Sequence, residues 1–213
     1  MIRAVIFDMD GVLIDAREWH YEALNKALKL LGYEITRYEH LSTFDGLPTR
    51  KKLQMLTVER GLPEELHPFI NALKQQYTME YVATSCKPVF QHEYALARLK
   101  GDGYNLGLAS NSIRATVLEM MERSALRGYL DTIVSNEDVA RPKPDPAIYS
   151  KAMADLGVTP EETVVVEDNE NGIAAATAAG AHVLVVESPK DVTLDAIRAR
   201  IAAAERVPEA VAA

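Results

Sequence analysis

The sequence predicts an α/β protein, with a three-layer core on a parallel sheet and a helical domain inserted after the first strand. Three observations carry that prediction. Short apolar runs of β type alternate with longer helical patterns, the signature of a parallel sheet covered by helices. The runs TVVV (163–166) and HVLVV (182–186) carry too few polar residues for a strand wet on one face, so both are expected inside. The long stretch after the first run is helical in pattern with no convincing strand, and one crossover helix needs far fewer residues.

Taken in order, AVIF (4–7) is the first strand. A helix over 17–31 ends at Gly32, and two further helical patterns cover 48–60 and 63–83. These form the insert, residues 15–86, and leave 1–14 and 87–213 as the core. NLGLA (105–109) resumes the strands, and a helix over 113–127 stops at Gly128 before TIV (132–134). A helix over 146–156 stops at Gly157, and Thr159-Pro160-Glu161-Glu162 supplies a cap, a first-turn proline and acids for a short turn. TVVV, a helix over 171–179 stopped by Gly180, HVLVV and a helix over 194–206 complete the pattern.

Composition narrows the function classes. The chain carries 31 acidic against 23 basic residues, net −8, with no run of like charge long enough to mark a nucleic-acid patch. The single cysteine, Cys86, excludes an internal disulfide and a Cys-rich zinc site and fits a reducing compartment. Met1 to Phe7 is too short for a signal-peptide core, and no apolar stretch approaches the ~20 residues of a membrane span. The expectation is a cytoplasmic protein, monomer or weak homo-oligomer, with neither membrane nor nucleic acid as partner.

In open parallel sheets ligands bind beyond the carboxyl ends of the strands. After the first run come Asp8 and Asp10, after NLGLA come Ser110 and Asn111, and after TVVV come Glu167 and Asp168. The third run leads into the loop RPKPDP, which carries Lys143. Acids, a hydroxyl, a peptide turn opening a helix near Ser112 and a lysine suit a divalent cation and a phosphate. Hard Mg²⁺ prefers oxygen ligands and shares substrate phosphate oxygens, while helix-start N–H groups and a lysine take the other oxygens. A calcium loop starting at Asp8 needs glutamate at its twelfth position, where Trp19 stands. Ser110 taken alone reads as a capping serine, whereas a plain N-cap of 171–179 is the minor reading of Asp168.

FDMDGVL, LASNS, RPKPDPAIY and VVVEDNENGIAAATAAGA, in that order, resemble the four motifs of the haloacid dehalogenase superfamily, most closely its β-phosphoglucomutase-like phosphatase branch. The likeness spans nearly the whole chain. It implies a Rossmann-like three-layer core with a helical cap domain, a Mg²⁺ cofactor and a small phosphorylated metabolite as substrate, a sugar phosphate or phosphoglycolate-like ester. It implies that Asp8 takes the phosphoryl group and that Asp10 protonates the leaving oxygen and later deprotonates water. It implies Mg²⁺ on Asp8, the Asp10 carbonyl and Asp168, with Glu167 a direct or water-mediated partner. Ser110, Asn111 and Lys143 grip the phosphoryl group in the same reading.

An acid role for Asp10 makes a physical demand. A free aspartic acid, pKa about 3.9, is protonated roughly once per thousand molecules at pH 7. A neighbouring carboxylate and a bound phosphate must raise that value, and about two units correspond to roughly 2.7 kcal/mol.

The cap segment LSTFDGLPTR (41–50) resembles the family's substrate-reading loop, with Gly46 and Arg50 as substrate contacts and His20 on the first cap helix as a further one. Arg50 suits a second phosphate and hence a sugar-phosphate mutase. Against that, Asp45 stands before Gly46 where such mutases tend to carry a basic residue. Ala16 and Asn169 depart from the family pattern too, where a hydroxyl residue and a serine are usual. The expectation is a phosphatase, with the mutase as alternative and a non-enzymatic receiver-like phosphoacceptor as a distant one, disfavoured by the large insert. No glycine fingerprint for a dinucleotide follows the first strand.

Overall fold

The computed structural model describes residues 1–44 and 47–206, so Asp45 and Gly46 lie outside the described residues. The chain divides into two compact units, Met1–Asp15 with the chain from Lys87 onward, and Ala16–Cys86. Strand β1 (Ala4–Phe7) opens the first unit; the second holds α1 (Arg17–Lys29), α2 (Arg37–Glu39), α3 (Thr49–Arg60) and α4 (His67–Ser85). The first unit resumes with α5 (Phe90–Gly101), β2 (Asn105–Ala109), α6 (Arg114–Arg123), β3 (Thr132–Val134) and α7 (Ala147–Leu156). It ends with β4 (Thr163–Glu167), α8 (Glu170–Ala178), β5 (His182–Val185) and α9 (Leu194–Glu205).

The strands pair in the order β3-β2-β1-β4-β5, and each printed pairing is parallel. After β1 the chain winds outward through β2 and β3, then returns to the other side of β1 at β4. That reversal leaves a crevice at the carboxyl ends of β1 and β4. Both strands are buried along their whole length, as a central parallel strand requires. Ile6 and Val165 pack with Ile148, Tyr149, Ala152, Ala175 and Ala176 of α7 and α8. By alternation Val5, Phe7, Val164 and Val166 face the other way, where α5 and α9 adjoin one another and the strands. Gly107 stands where a Cβ would crowd Thr132, Ile6 and Leu156, which lets α7 close on the sheet.

Several elements depart from the sequence reading. HVLVV is expected inside, yet β5 is only half-buried and Val185 is 57% exposed, because among the described residues β5 is an edge strand paired with β4 alone. Helix α6 stops at Arg123, short of 127, because Ala125 turns left-handed (φ 59°) and the Leu126 N–H closes on the Met121 carbonyl at 3.0 Å. Helix α5 carries no clear sequence signal, because Phe90 and Tyr94 lie exposed and blur its apolar face of Ala95, Leu96 and Leu99. The pattern at 63–83 is a 3₁₀ turn, Glu64–Leu66, followed by α4.

The second unit has its own core of Leu24, Leu28, Ile35, Phe44, Leu53, Leu56, Leu62 and Ile70. Buried Asn25 ties α1 to the following segment: its amide donates to the Ile35 carbonyl and its oxygen accepts the Ile35 N–H, both at 2.8 Å. Both ends of the side chain are thus satisfied, which is what permits an amide in a core. Among the described residues no helix is long and apolar enough to cross a membrane.

Beyond β3, the Asp138 carboxylate accepts the Ser135 N–H and hydroxyl, each at 2.7 Å, and an Arg114 N–H at 2.8 Å. Partial burial works to raise its pKa, but the Arg114 and Ser135 bonds outweigh it and bring it down to about 2. A depressed carboxylate stabilises the fold above its unfolded pKa and loses that contribution as pH falls through the folded value. Allowing for solvent screening, the shift is worth about 1 kcal/mol. Asp138→Ala is therefore expected to lower urea-denaturation stability by about that amount at pH 7, with the gap from wild type closing between about pH 4 and 2.

Candidate active site

The site is built at the ends of β1, β2 and β4. β1 stops at Phe7 and the chain turns at once: the Met9 carbonyl accepts the Leu13 and Ile14 N–H groups at 3.0 and 2.9 Å, and the Gly11 N–H donates to the Ile14 carbonyl at 2.7 Å. Gly11 adopts φ 90°, a conformation in which a Cβ is strained. Buried Met9, Val12, Leu13 and Ile14 anchor this turn. Asp8 and Asp10 therefore do not lie on one continuous strand, since the strand ends before Asp8.

Lys143 lies between the carboxylates. Its ammonium donates to Asp8 Oδ1 at 2.6 Å, to Glu167 Oε1 at 2.7 Å and to the Ala109 carbonyl at 2.9 Å. A lysine in a proline-rich loop would ordinarily be solvated; this one is 4% exposed. Burial alone works to lower its pKa, but Asp8 and Glu167 outweigh burial and hold it above its ordinary value, so it is an ammonium at neutral pH. Asn111 fixes the loop that carries it, accepting the Lys143 N–H at 3.0 Å.

Glu167, the last residue of β4, accepts hydrogen bonds on both oxygens. Oε1 takes Lys143 and the Tyr149 hydroxyl (2.6 Å), and Oε2 takes the Asp168 and Asn169 N–H groups at 3.0 and 3.3 Å. Burial, with Glu167 beside it, keeps Tyr149 a phenol well above its ordinary pKa. The cap of α8 is Asn169, whose side chain accepts the Asn171 N–H, so Asp168 is not the cap. One carboxylate oxygen each from Asp8, Glu167 and Asp168 lie within 4.8 Å of one another. Burial raises Asp8 well above the usual carboxylate range; Lys143 opposes this, and Glu167 and Asp10 add to it.

At the end of β2, Ser110 is buried, donates its N–H to the Val134 carbonyl at 3.0 Å and accepts the Ser112 N–H on its hydroxyl oxygen at 3.1 Å. Helix α6 begins at Arg114, one residue later than expected, with the Arg114 N–H satisfied by Glu137 at 2.7 Å. Asp10 accepts a hydrogen bond from the Ser112 hydroxyl at 2.9 Å. The geometry thus gathers Asp8, Asp10, Ser110, Asn111, Lys143, Glu167 and Asp168 at the strand ends. Arg50, exposed in the first turn of α3, and His20, whose Nδ1 lies 3.1 Å from Lys74 Nζ, belong to the second unit. Gly46 lies outside the described residues.

Sequence reasoning missed three contributors. Tyr149 sits in the quoted RPKPDPAIY, but nothing local tells its hydroxyl from an ordinary core phenol. Ser112 sits in LASNS and reads locally as a cap. Gly172 is set by a close approach, since a Cβ there would overlap the Glu167 carboxylate.

With this geometry in view, the comparisons decide the family. Residues 5–186 match the model of the haloacid dehalogenase-like hydrolase family. The chain belongs to this family. The phosphorylated carbohydrates phosphatase of Thermotoga maritima is 32% identical over 179 residues, 84% of this chain and 82% of that protein. The phosphoglycolate phosphatase of Aquifex aeolicus is 29% identical over the same shares. The crystal structure of CbbY from Rhodobacter sphaeroides in complex with phosphate superposes with a TM-score of 0.78 over 87% of this chain and 86% of that one, at 26% identity. These likenesses place the chain in the phosphatase branch of this hydrolase family.

The Gly172 approach is testable. Gly172→Ala is expected to cost about 1–3 kcal/mol in urea denaturation. In a Glu167→Ala background, where the obstructing carboxylate is gone, most of that cost should vanish, a coupling of about 1 kcal/mol or more in the double-mutant cycle.

Proposed function

We propose that the protein is a Mg²⁺-dependent phosphatase that hydrolyses a small phosphorylated metabolite, a sugar phosphate or phosphoglycolate-like ester, through an aspartyl-phosphate intermediate on Asp8. The observation that carries this reading is the buried Lys143 ammonium bonded to Asp8 at 2.6 Å and to Glu167 at 2.7 Å, beside a group of Asp8, Glu167 and Asp168 oxygens within 4.8 Å of one another. This all-oxygen donor set, with three carboxylates against one ammonium and Asp8 pushed up by burial, fits a hard divalent cation. Asp8, Asp168 and the Asp10 carbonyl would hold it, with Glu167 a direct or water-mediated partner. When bound, Mg²⁺ supplies positive charge that keeps Asp8 ionised and offsets charge on the phosphoryl oxygens.

The chain's own residues perform the steps. An Asp8 oxygen attacks phosphorus, the ester P–O bond breaks, and Asp10 passes its proton to the departing oxygen, which leaves as an alcohol. As Asp8 is esterified it loses its charge, and the Lys143 proton that bonds it turns to the phosphoryl oxygens. Ser110, whose oxygen already accepts the Ser112 N–H, has its own hydroxyl proton to donate, and the turn at Asn111 contributes N–H groups. Asp10, now a carboxylate, takes a proton from water as that water attacks phosphorus, the P–O bond to Asp8 breaks, and inorganic phosphate departs.

The test is ³¹P NMR of the protein with Mg²⁺ and a panel of small phosphate esters that includes β-glucose 1-phosphate, with and without a trace of glucose 1,6-bisphosphate. Inorganic phosphate should accumulate, and Asp8→Asn should lower kcat by about a thousandfold or more. Conversion of glucose 1-phosphate to glucose 6-phosphate only when bisphosphate is present would replace the phosphatase reading with the mutase. Activity should also vanish with excess chelator and return on adding Mg²⁺; full turnover in chelator would remove the metal from the reading.

A further inference from the structure

Ser112 stands just before α6, where a serine usually caps the helix. It does not cap this one: the N-cap residue is Ile113, with no side-chain cap bond, and the Arg114 N–H is taken by Glu137. The backbone of Ser112 is fixed at both ends without its side chain, its N–H donating to the Ser110 hydroxyl oxygen at 3.1 Å and its carbonyl accepting the Asn136 N–H at 3.2 Å. Its hydroxyl is instead directed 102 residues away in the sequence, to Asp10 Oδ2 at 2.9 Å. Asp10 is itself carried on the closed turn of residues 9–14, so a fixed donor meets an acid on a fixed backbone.

The geometry points to Ser112 as the positioning residue for the general acid, a role that rests on the acid role proposed above for Asp10. A hydroxyl bonded to Oδ2 fixes the plane of the carboxyl group, and with it the direction in which its proton can leave. As the proton passes to the ester oxygen, the carboxylate that forms keeps the Ser112 O–H as a donor, so the bond strengthens as charge develops. General acid catalysis depends on such alignment, and loss of alignment forfeits part of its effect. Ser112 acts through Asp10 and does not itself touch the reacting atoms.

A positioning role predicts a dependence on the leaving group that a merely structural role does not. An alkyl ester needs its oxygen protonated as it leaves, whereas p-nitrophenyl phosphate departs as a stable phenolate and needs little acid. Ser112→Ala should lower kcat/KM for an alkyl phosphate by about 10- to 100-fold, part of the usual range for an acid, and for p-nitrophenyl phosphate by about twofold or less. Ser112→Thr, which keeps the hydroxyl, should recover most of the alkyl-ester rate, and thermal midpoints show that each variant is folded. Equal losses on both esters, no loss on either, or equal alkyl-ester rates for Ser112→Ala and Ser112→Thr would overturn the inference. Asp10→Ala separates the two levels. If it shows the alkyl-selective loss and Ser112→Ala does not, only the role of Ser112 falls; if it lacks that loss, the acid role of Asp10 falls and takes this inference with it.

Discussion

The geometry of the candidate site depends on the buried Lys143 ammonium. Lys143 reaches the ends of β1, β2 and β4 at once, bonding Asp8, the Ala109 carbonyl and Glu167 with its three protons. Taking such charges out of water costs several kcal/mol each, and a buried pair is tolerable only when its remaining bonding capacity is filled. The structure fills it: Glu167 has the Tyr149 hydroxyl and two backbone N–H groups in addition to the ammonium. The ring of Tyr149 also lies against the cation, 4.6 Å from centroid to Nζ. The cluster is thus a polar network inside an apolar core, and the sheet order that brings β1 beside both β2 and β4 makes it possible.

The arrangement also separates the roles of neighbouring acids. Asp8 lies against an ammonium and within reach of Glu167 and Asp168, where an added cation can act on it. Asp10 sits on the turn beyond, in contact with a serine hydroxyl and not within the three-carboxylate group. Two carboxyl groups two residues apart therefore have different surroundings, the condition under which one can serve as nucleophile and the other as acid and base. The closed turn of residues 9–14 provides this separation by redirecting the chain between Asp8 and Asp10.

Much of the fold was legible because its signals are local. Central β4 is an unbroken apolar run and is buried throughout. The turn at Thr159 forms the capping box its residues specify. Gly157 adopts the left-handed conformation that ends α7. Readings that needed non-local information failed. HVLVV has the composition of a central strand, but edge or centre is a property of strand order. Helix α6 ends at Arg123 through the left-handed turn at Ala125, a residue with no glycine signal, so the stop expected at Gly128 comes too late.

The candidate site divides in the same way. The sequence by itself determined that carboxylates, a hydroxyl and a lysine follow the strands of a parallel sheet, because strand runs and their flanking residues are contiguous in the chain. Only the tertiary structure decided which atoms meet. Lys143 is 135 residues from Asp8, and whether such a lysine is solvated or buried depends on how its loop closes on Asn111. The same holds for the Tyr149 hydroxyl on Glu167, for the absent Cβ of Gly172 and for the Ser112 hydroxyl on Asp10. Hydrogen bonds and steric contacts act over a few ångströms, so partners this distant in the chain are chosen by packing, which no local pattern records.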